Sequence, residues 1–231
     1  MWIAVSHVGP RVAMLITPKV AVDVIIFTVR EESLQVLLVQ LKPPLHSEMW
    51  AFPGGLVPSG ESTEAAATRC LFETTGVKDV YLEQLYTFSN PHRDPHGHVA
   101  SVAYVALVNR TRIDLRVPGK CANIGWFPVA SPPPLAYDHA EMLEYAIQRL
   151  RWKLEYTNIV YSLLPRDFTL TELQRVYEII LGRALDKRNF RKKMLSLGML
   201  QVTPRVVKVG AHRPARLYRF RRRMPMIIEV L

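Results

Sequence analysis

The sequence of 231 residues contains only two cysteines and no internal repeat. Cys70 and Cys121 cannot form a disulfide framework, and their spacing matches no metal-binding pattern. Because no apolar run approaches the roughly 20 residues of a membrane helix, we expect no membrane span and no membrane partner. The N-terminus also lacks a basic region followed by an apolar stretch, so we expect no secretory signal and a location in the reducing cytoplasm.

Acidic residues are scarce in the last third of the chain. Residues 1–150 contain 12 lysines and arginines against 14 aspartates and glutamates, whereas residues 151–231 contain 18 against 6. The whole net charge of +10 therefore lies in the C-terminal part. This distribution predicts a polyanionic partner at the C-terminal end. The alternative is a basic surface that only aids solubility.

The first half has the pattern of a mixed α/β domain. Glu31-Glu32-Ser33 predicts a hairpin between two β-branched and leucine-rich runs. The predicted strands are 20–30, 34–41, 80–87, 99–108 and one around 124–127. A helix is predicted from Ser62 to Thr75. After the break at Ser131-Pro132-Pro133-Pro134, Asp138 is a candidate N-cap for a helical stretch that continues toward Pro165.

The segment from Gly55 to Val77 resembles the Nudix signature. That signature is a glycine, a glutamate six residues later, and then Arg-Glu-apolar-x-Glu-Glu-x-Gly-apolar; Gly55, Glu61, Arg69 and Gly76 are in register with it. In the active motif three carboxylates at relative positions 0, +3 and +4 share one helical face. The resemblance implies a Mg²⁺ site there, which neutralises a diphosphate and activates the attacking water.

In this chain the three metal positions are Cys70, Glu73 and Thr74. A thiol is a poor ligand for hard Mg²⁺, and the threonine brings only a neutral oxygen. We therefore expect hydrolysis to be absent or vestigial, with no required cofactor. Glu73, Glu61 and Arg69 are the residual Nudix residues, and Glu73 is the one metal candidate. The alternative is a Mg²⁺-dependent hydrolase with rearranged ligands and an appended basic domain.

A Nudix pocket without its catalytic charges can still bind a ligand, because the backbone N–H groups of its glycine-rich loop remain. Arg93 is a candidate phosphate fork, and the alternative for its segment is a solvated turn. Asp138 and His139 are a second candidate pair, for which helix capping by Asp138 is the alternative. The candidate ligand-binding residues are Phe52, Gly54, Gly55, Arg69, Glu73, Arg93, Asp94, Asp138 and His139.

The basic C-terminal part has the pattern of a helix-turn-helix. Thr169 or Thr171 caps a first helix that ends at Gly182. Asp186 caps a second helix that ends at Gly198 and carries most of its positive side chains away from an apolar face. This arrangement predicts a recognition helix for a DNA major groove.

Strands at 200–202 and 206–209, a tip at 210–214 and a return strand at 215–220 predict a wing after the second helix. The candidate DNA-binding residues are Thr169, Thr171, Lys187, Arg188, Asn189, Arg191, Lys192, Arg213, Arg216 and Arg219. Asn189 suits an adenine edge, whereas the cations suit phosphates. The alternative for the whole module is a winged helix that binds another protein.

Together the two halves resemble the Nudix-related transcriptional regulators of the NrtR type, over about residues 14–225. The similarity includes Trp50–Gly55, Arg93–Pro95, Leu135–His139 and Phe168–Gly198. It implies an N-terminal Nudix α/β/α sandwich with a mixed sheet at 14–155, after an extension at 1–13. It also implies a C-terminal winged helix-turn-helix at 156–231.

The same resemblance implies a homodimer that binds a double-stranded DNA operator and responds to a small effector. The best-known members control NAD metabolism, so ADP-ribose or a related nucleotide is the implied effector; related regulators sense sugars instead. Many of these proteins carry Arg-Asp-Pro-Arg-Gly-Arg, whereas this chain has His96 and His98 at the last two arginines. This departure weakens the expectation of a diphosphate ligand at neutral pH.

Overall fold

The computed structural model describes residues 17–43, 49–78, 81–109, 113–207, 214–228 and 230. Strands β1 (Lys19–Arg30) and β2 (Ser33–Leu41) form an antiparallel hairpin. Its two turn residues, Glu31 and Glu32, have left-handed backbones with φ of 48° and 60°. Such a turn follows the right-handed twist of the strands. The predicted hairpin is confirmed.

The remaining strands of the first half join this hairpin in one mixed sheet. They are β3 (Trp50–Ala51), β4 (Gly54–Leu56), β5 (Tyr81–Phe88), β6 (Val99–Leu107) and β7 (Cys121–Pro128). The order is β3-β2-β1-β6-β5, with β4 beside β1 and β7 beside β2. The β1–β6 pair is parallel and the other pairs are antiparallel, so the sheet is mixed as expected.

The sheet lies between two helices because β1 alternates two apolar faces. Val22 and Val24 pack with the buried side of α1 (Thr63–Thr75). Ile25 and Phe27 pack with α2 (His139–Tyr156). Asp23 shares the period of Ile25 and Phe27, and the strand therefore places one carboxylate on the α2 side of the sheet.

Local residues define both ends of α1. The Ser62 hydroxyl accepts the Ala65 N–H at 3.1 Å, and Gly76 ends the helix in the left-handed region with φ of 67°. Serine is a favoured N-cap and glycine a favoured C-terminal stop. The helix predicted from Ser62 to Thr75 is confirmed.

The prediction that helical structure continues from α2 to Pro165 is wrong. The helix ends at Tyr156, and a separate 3-10 turn covers Ile159–Ser162. Between them the side chain of the buried Asn158 donates to the Met224 carbonyl and accepts the Met226 N–H. An asparagine engaged with the C-terminal segment interrupts the helix, and this contact joins residues more than 60 positions apart.

A winged helix follows, built from α3 (Leu170–Leu181), α4 (Lys187–Ser196), β8 (Leu200–Val207) and β9 (Ala215–Phe220). Thr169 caps α3 in a capping box with Glu172, and Asp186 caps α4. The β8–β9 pair forms the predicted antiparallel hairpin, with an irregular register between residues 202 and 206. Residues 210–213 of the predicted tip lie outside the described residues.

The Nudix-like part and the winged helix share one hydrophobic core, in which α2 residues such as Leu150 pack with α3 residues such as Tyr177. Arg151 Nε donates to the Ile180 carbonyl at 3.1 Å, and the Asn109 amide donates to the Leu163 carbonyl at 3.0 Å. A shift of α2 would therefore move residues that contact α3. The boundary at 155–156 falls at the end of α2 and stays a prediction. No helix in the described ranges is long and apolar enough to cross a membrane.

Candidate functional site

A cleft of about 630 Å³ is lined by residues of α1, of the glycine-rich loop and of the start of α2. Its walls come from β1, β2, β4, α1, the turn before β6, the turn before β7 and the start of α2. Small-molecule sites typically occupy about 300–1,000 Å³. The cleft is therefore large enough for a nucleotide-sized ligand.

The buried carboxylate of Asp23 and the partly buried carboxylate of Asp138 contact Arg93 beside this cleft. The guanidinium, whose side chain is 3% exposed, donates to Asp138 from Nε at 2.9 Å and from Nη2 at 2.6 Å. Asp23 Oδ2 lies 3.5 Å from the same Nη2 atom. A buried guanidinium needs such compensation, because removing a charge from water is costly. The Arg93 guanidinium is therefore held in one position by its carboxylate partners, and Arg93 is not a solvated turn residue.

Asp23 and His139 continue the network. The Ser101 hydroxyl donates to Asp23 Oδ2 at 2.6 Å, and His139 Nε2 lies 3.6 Å from Asp23 Oδ1. The other ring nitrogen, Nδ1, accepts the Phe52 N–H at 3.0 Å, so the ring carries its proton on Nε2. Burial raises the pKa of the Asp23 carboxyl, but His139, Ser101 and Arg93 lower it more, to below its ordinary value of 3.8.

We expect Asp23 to contribute stability that depends on pH. Because the folded-state pKa is lowered, this contribution is fully present above about pH 3.8 and is lost as the pH falls through the folded-state value. Asp23→Asn should lose on the order of 1–3 kcal/mol at pH 7 through the weakened bonds to Arg93 and Ser101. Urea unfolding at a series of pH values from 2.5 to 7 measures this contribution. As the pH is lowered, the free energy of unfolding should fall less steeply in the variant than in the wild type. An equally steep fall in both proteins would contradict this role.

The structure brings most of the candidate ligand-binding residues together. Those that line the cleft are Phe52, Gly54, Gly55, Glu73, Arg93, Asp94 and His139. Arg69 and Asp138 do not line the cleft but contact residues that do: Arg69 is exposed and lies 3.5 Å from Glu73, and Asp138 binds Arg93. Asp138 occupies the N-cap position of α2, yet its side chain makes no capping hydrogen bond. Its carboxylate binds Arg93 instead.

The lining residues that sequence reasoning missed include Lys19, Asp23, Lys120 and Tyr137. One signal was available: Asp23 is a lone carboxylate in a β-branched strand, in phase with the buried Ile25 and Phe27. Tyr137 has a left-handed backbone with φ of 56°, which is uncommon for an aromatic residue and frequent at functional sites. Neither Lys19 nor Lys120 lies in a pattern that marks a site.

The Nudix metal positions do not fit Mg²⁺ in this chain. Cys70 is buried and burial raises the pKa of its thiol, while the Thr74 hydroxyl donates to the Cys70 carbonyl. Glu73 is half exposed and pairs with Arg69. Among the described residues, no three His, Cys, Asp or Glu side chains gather as metal ligands do. The site therefore offers Mg²⁺ one carboxylate, already paired with Arg69, where the active signature offers three.

Glu61 and Arg69 join the glycine-rich loop to α1. The Arg69 guanidinium donates to both Glu61 oxygens, at 2.9 Å and 2.8 Å. Such a two-pronged pair fixes the position of the loop relative to the helix. The loop scaffold therefore persists where the metal ligands do not.

Gly54 permits the close approach of β4 to β1. A Cβ atom there would lie 2.3 Å from the Val22 carbonyl oxygen and 2.6 Å from Asp23 Oδ1. We expect Gly54→Ala to lower the free energy of unfolding by about 1–3 kcal/mol or more, because the backbone must move. Gly119→Ala is the matched control, since nothing lies within 4 Å of its added Cβ. Equal urea midpoints for the two variants would contradict this packing.

The helix α4 presents a polar, positive face to solvent. Its side chains Lys187, Arg188, Asn189 and Lys192 are exposed, whereas Phe190 and Met194 are buried. None of the three cations on this face forms an ion pair with another described residue. Their charge is therefore available to an external anion.

The other candidate DNA-binding residues have internal partners or lie on the wing. The Thr169 hydroxyl accepts the Glu172 N–H, and Arg191 donates to the Thr171 hydroxyl at 3.1 Å. Arg219 forms a two-pronged pair with Asp167, at 3.0 Å and 3.3 Å. Arg216 is exposed on β9. Arg213 lies outside the described residues.

Further exposed cations of the winged-helix part lie outside the set of candidate DNA-binding residues. They include Arg166, Arg205, Arg221 and Arg222. Arg166 and Arg221 line a shallow groove at the base of the wing together with Arg219. Exposed cations are therefore present both on α4 and beside the base of the wing.

Comparison with known proteins matches both parts of the chain. Residues 17–146 match the family model of the NUDIX domain, and residues 160–220 match that of the NrtR DNA-binding winged helix domain. The predicted fold, a Nudix domain followed by a winged helix, is confirmed. The chain is 39% identical over 208 residues to the ADPR responsive transcriptional repressor NtrR of Acinetobacter baylyi. The aligned region covers 88% of this chain and 82% of that protein.

Two further relatives are similar over shared domains. The crystal structure of Shewanella oneidensis NrtR with a 27mer DNA has a TM-score of 0.79 and 33% identity, over 87% of this chain and 93% of that one. The NUDIX domain of the same protein, complexed with ADP ribose, has a TM-score of 0.53 and 34% identity, over 58% and 89%. An ADP-ribose pyrophosphatase of Methanocaldococcus jannaschii is 33% identical over 136 residues, which are 59% of this chain and 75% of that enzyme.

Proposed function

The chain belongs to the family of Nudix-related transcriptional regulators, and we propose that it is a DNA-binding repressor whose operator affinity is controlled by ADP-ribose or a closely related nucleotide. One observation carries the proposal: a cleft without a complete metal site among the described residues shares its core with a winged helix, and three exposed cations of its helix α4 form no ion pair with another described residue. The relatives support it, since they include an ADPR responsive repressor and an NrtR bound to DNA.

The DNA-binding half of the proposal rests on α4 and the wing. The exposed Arg188 and Lys192 lie one helical turn apart, where both side chains reach phosphates on one wall of a groove. Asn189 lies next to them near the start of the helix, and asparagine pairs with an adenine edge. We place two such helices in a homodimer, which would bind half-sites about 34–36 Å apart.

The effector half rests on the cleft. Its cations Lys19 and Lys120 lie among apolar walls such as Phe52, which suits a ligand with an anionic centre and a flat ring. Arg93 stays paired with its two carboxylates, so we assign it the role of holding Asp23 and Asp138 in place beside the cleft. A regulator of this kind acts in the cytoplasm, where both buried cysteines remain reduced.

Coupling between the two halves runs through α2. Asp138, which holds Arg93 beside the cleft, directly precedes this helix, and Arg151 near its other end binds the Ile180 carbonyl of α3. A ligand that favours one position of α2 therefore biases the position of the winged helix. Effectors of this kind typically change affinity by about 5- to 150-fold.

The second candidate function is a Mg²⁺-dependent hydrolase of ADP-ribose or related nucleoside diphosphates. The similarity to an ADP-ribose pyrophosphatase and the retained Glu73 favour it. The positions occupied by Cys70 and Thr74 oppose it, because they leave one carboxylate where the active signature has three. Turnover that requires Mg²⁺ and is lost in Glu73→Gln would support the enzyme.

The proposed function is tested by selecting duplexes from a randomised pool and titrating the selected operator with effectors in a mobility-shift assay. We expect retardation at low ionic strength and about 5- to 150-fold weaker binding in saturating ADP-ribose. Arabinose is the matched comparison for a sugar effector. If no duplex is retained, the proposed DNA binding is wrong. If arabinose releases the duplex and ADP-ribose does not, the proposed effector is wrong.

A further inference from the structure

Lys120 contacts the glycine-rich loop from the opposite wall of the cleft. It lies in the turn before β7, and its Nζ donates to the Gly54 carbonyl oxygen. A Cβ atom on Gly55 would lie 2.7 Å from this Nζ. The ammonium therefore lies directly against Gly54-Gly55, the two glycines at the start of the Nudix-like segment.

The same ammonium lies beside the altered metal positions. Burial dominates the raised pKa of the Cys70 thiol, and Lys120 is the nearby cation that most lowers it. Cys70, Glu73, Thr74 and Lys120 line one cleft. A positive charge thus lines the same cleft as the positions at which the active signature carries its carboxylates.

We propose that the Lys120 ammonium takes the place of the divalent cation in this cleft and binds the anionic diphosphate of the effector without Mg²⁺. This inference rests on the proposed function and specifies how its ligand is bound. The loss of two carboxylates removes the repulsion that a phosphate would meet there, and one lysine supplies an attractive point charge with three donors. It supplies no activated water, which agrees with binding without hydrolysis.

The proposal makes the affinity for ADP-ribose independent of divalent cations and dependent on the charge at residue 120. Titration calorimetry of the full-length protein with ADP-ribose, in Mg²⁺ and in EDTA, measures both. We expect the same Kd in the two buffers and about 10-fold or weaker binding in Lys120→Gln, through loss of a charge-assisted hydrogen bond. Lys120→Arg keeps the positive charge and should retain part of the affinity.

Lys78→Gln is the matched control, because Lys78 is exposed just after the C-terminal end of α1 and does not line the cleft. Both lysines are exposed, so the variants should keep the melting temperature of the wild type. Inorganic pyrophosphate is the second probe, since it carries the anionic centre alone.

Four results decide between the possibilities. Wild-type binding that requires Mg²⁺, or a Lys120→Gln variant that binds like the wild type, overturns the inference and leaves the proposed function standing. Pyrophosphate binding that depends on Lys120, without any ADP-ribose binding, supports the inference and overturns the proposed effector. If neither ADP-ribose nor pyrophosphate binds the wild type, the inference and the proposed effector are both wrong.

Discussion

Replacing Arg188 and Lys192 together by alanine is expected to remove operator binding. Each side chain is exposed on α4 without an internal ion pair, so the loss concerns contacts to DNA and not the fold. Two hydrogen bonds from charged groups contribute about 1.5–3 kcal/mol each, so affinity should fall by roughly 10²- to 10⁴-fold. Mobility shift with the selected operator measures this loss.

The salt dependence of the double variant gives an independent readout. Each phosphate contact adds about −0.9 to the slope of log affinity against log salt, so the slope should become shallower by roughly 1.8. Lys78→Ala combined with Arg116→Ala is the charge-matched control on the Nudix domain, and it should leave both affinity and slope unchanged. Full retardation by the α4 variant would show that DNA binds elsewhere.

The second large effect is expected at Arg93. Arg93→Met keeps a long side chain but leaves Asp23 and Asp138 without their shared cation, beside the cleft. Removing one partner of a buried pair costs about 3–5 kcal/mol, which is a large share of the stability of a domain. Urea unfolding should show a lower midpoint. Binding of ADP-ribose should also be lost, because the residues that Arg93 holds beside the cleft are no longer ordered.

Three further variants separate the charge of Arg93 from its shape. Arg93→Lys keeps a charge but not the two-pronged contact with Asp138, so its loss should be intermediate. Adding Asp138→Asn to Arg93→Met removes one uncompensated carboxylate and should restore part of the stability. Arg116→Met breaks an exposed pair with Asp114 and should cost far less. A midpoint for Arg93→Met equal to that of the wild type would contradict the buried network.

The parts of the fold that local side chains determine were predictable from the sequence. Ser62 and Gly76 bound α1, and Asp186 caps the helix that carries the exposed cations, as their residue types indicate. The same holds for the β1–β2 hairpin and for the altered Nudix box. In each case the interaction that decides the structure spans only a few residues.

Non-local contacts account for what the sequence did not reveal. Arg93 and Asp138 are 45 positions apart, and Asp138 in isolation has the pattern of a helix cap. Asn158 ends a helical stretch by binding a segment 66 positions later. Lys120 lies in a turn without any motif, and only the fold brings it to Gly54. Such pairings depend on tertiary structure, which periodicity does not encode.

The central claim is that this cleft binds its nucleotide without cleaving it while the basic winged helix binds DNA. One sample tests both halves: wild-type protein, a labelled operator duplex, ADP-ribose and Mg²⁺ at low ionic strength, assayed for retarded duplex and released AMP. The account predicts a retarded duplex that ADP-ribose sets free, with the nucleotide recovered intact. Rapid release of AMP by a protein that retards no duplex would contradict it.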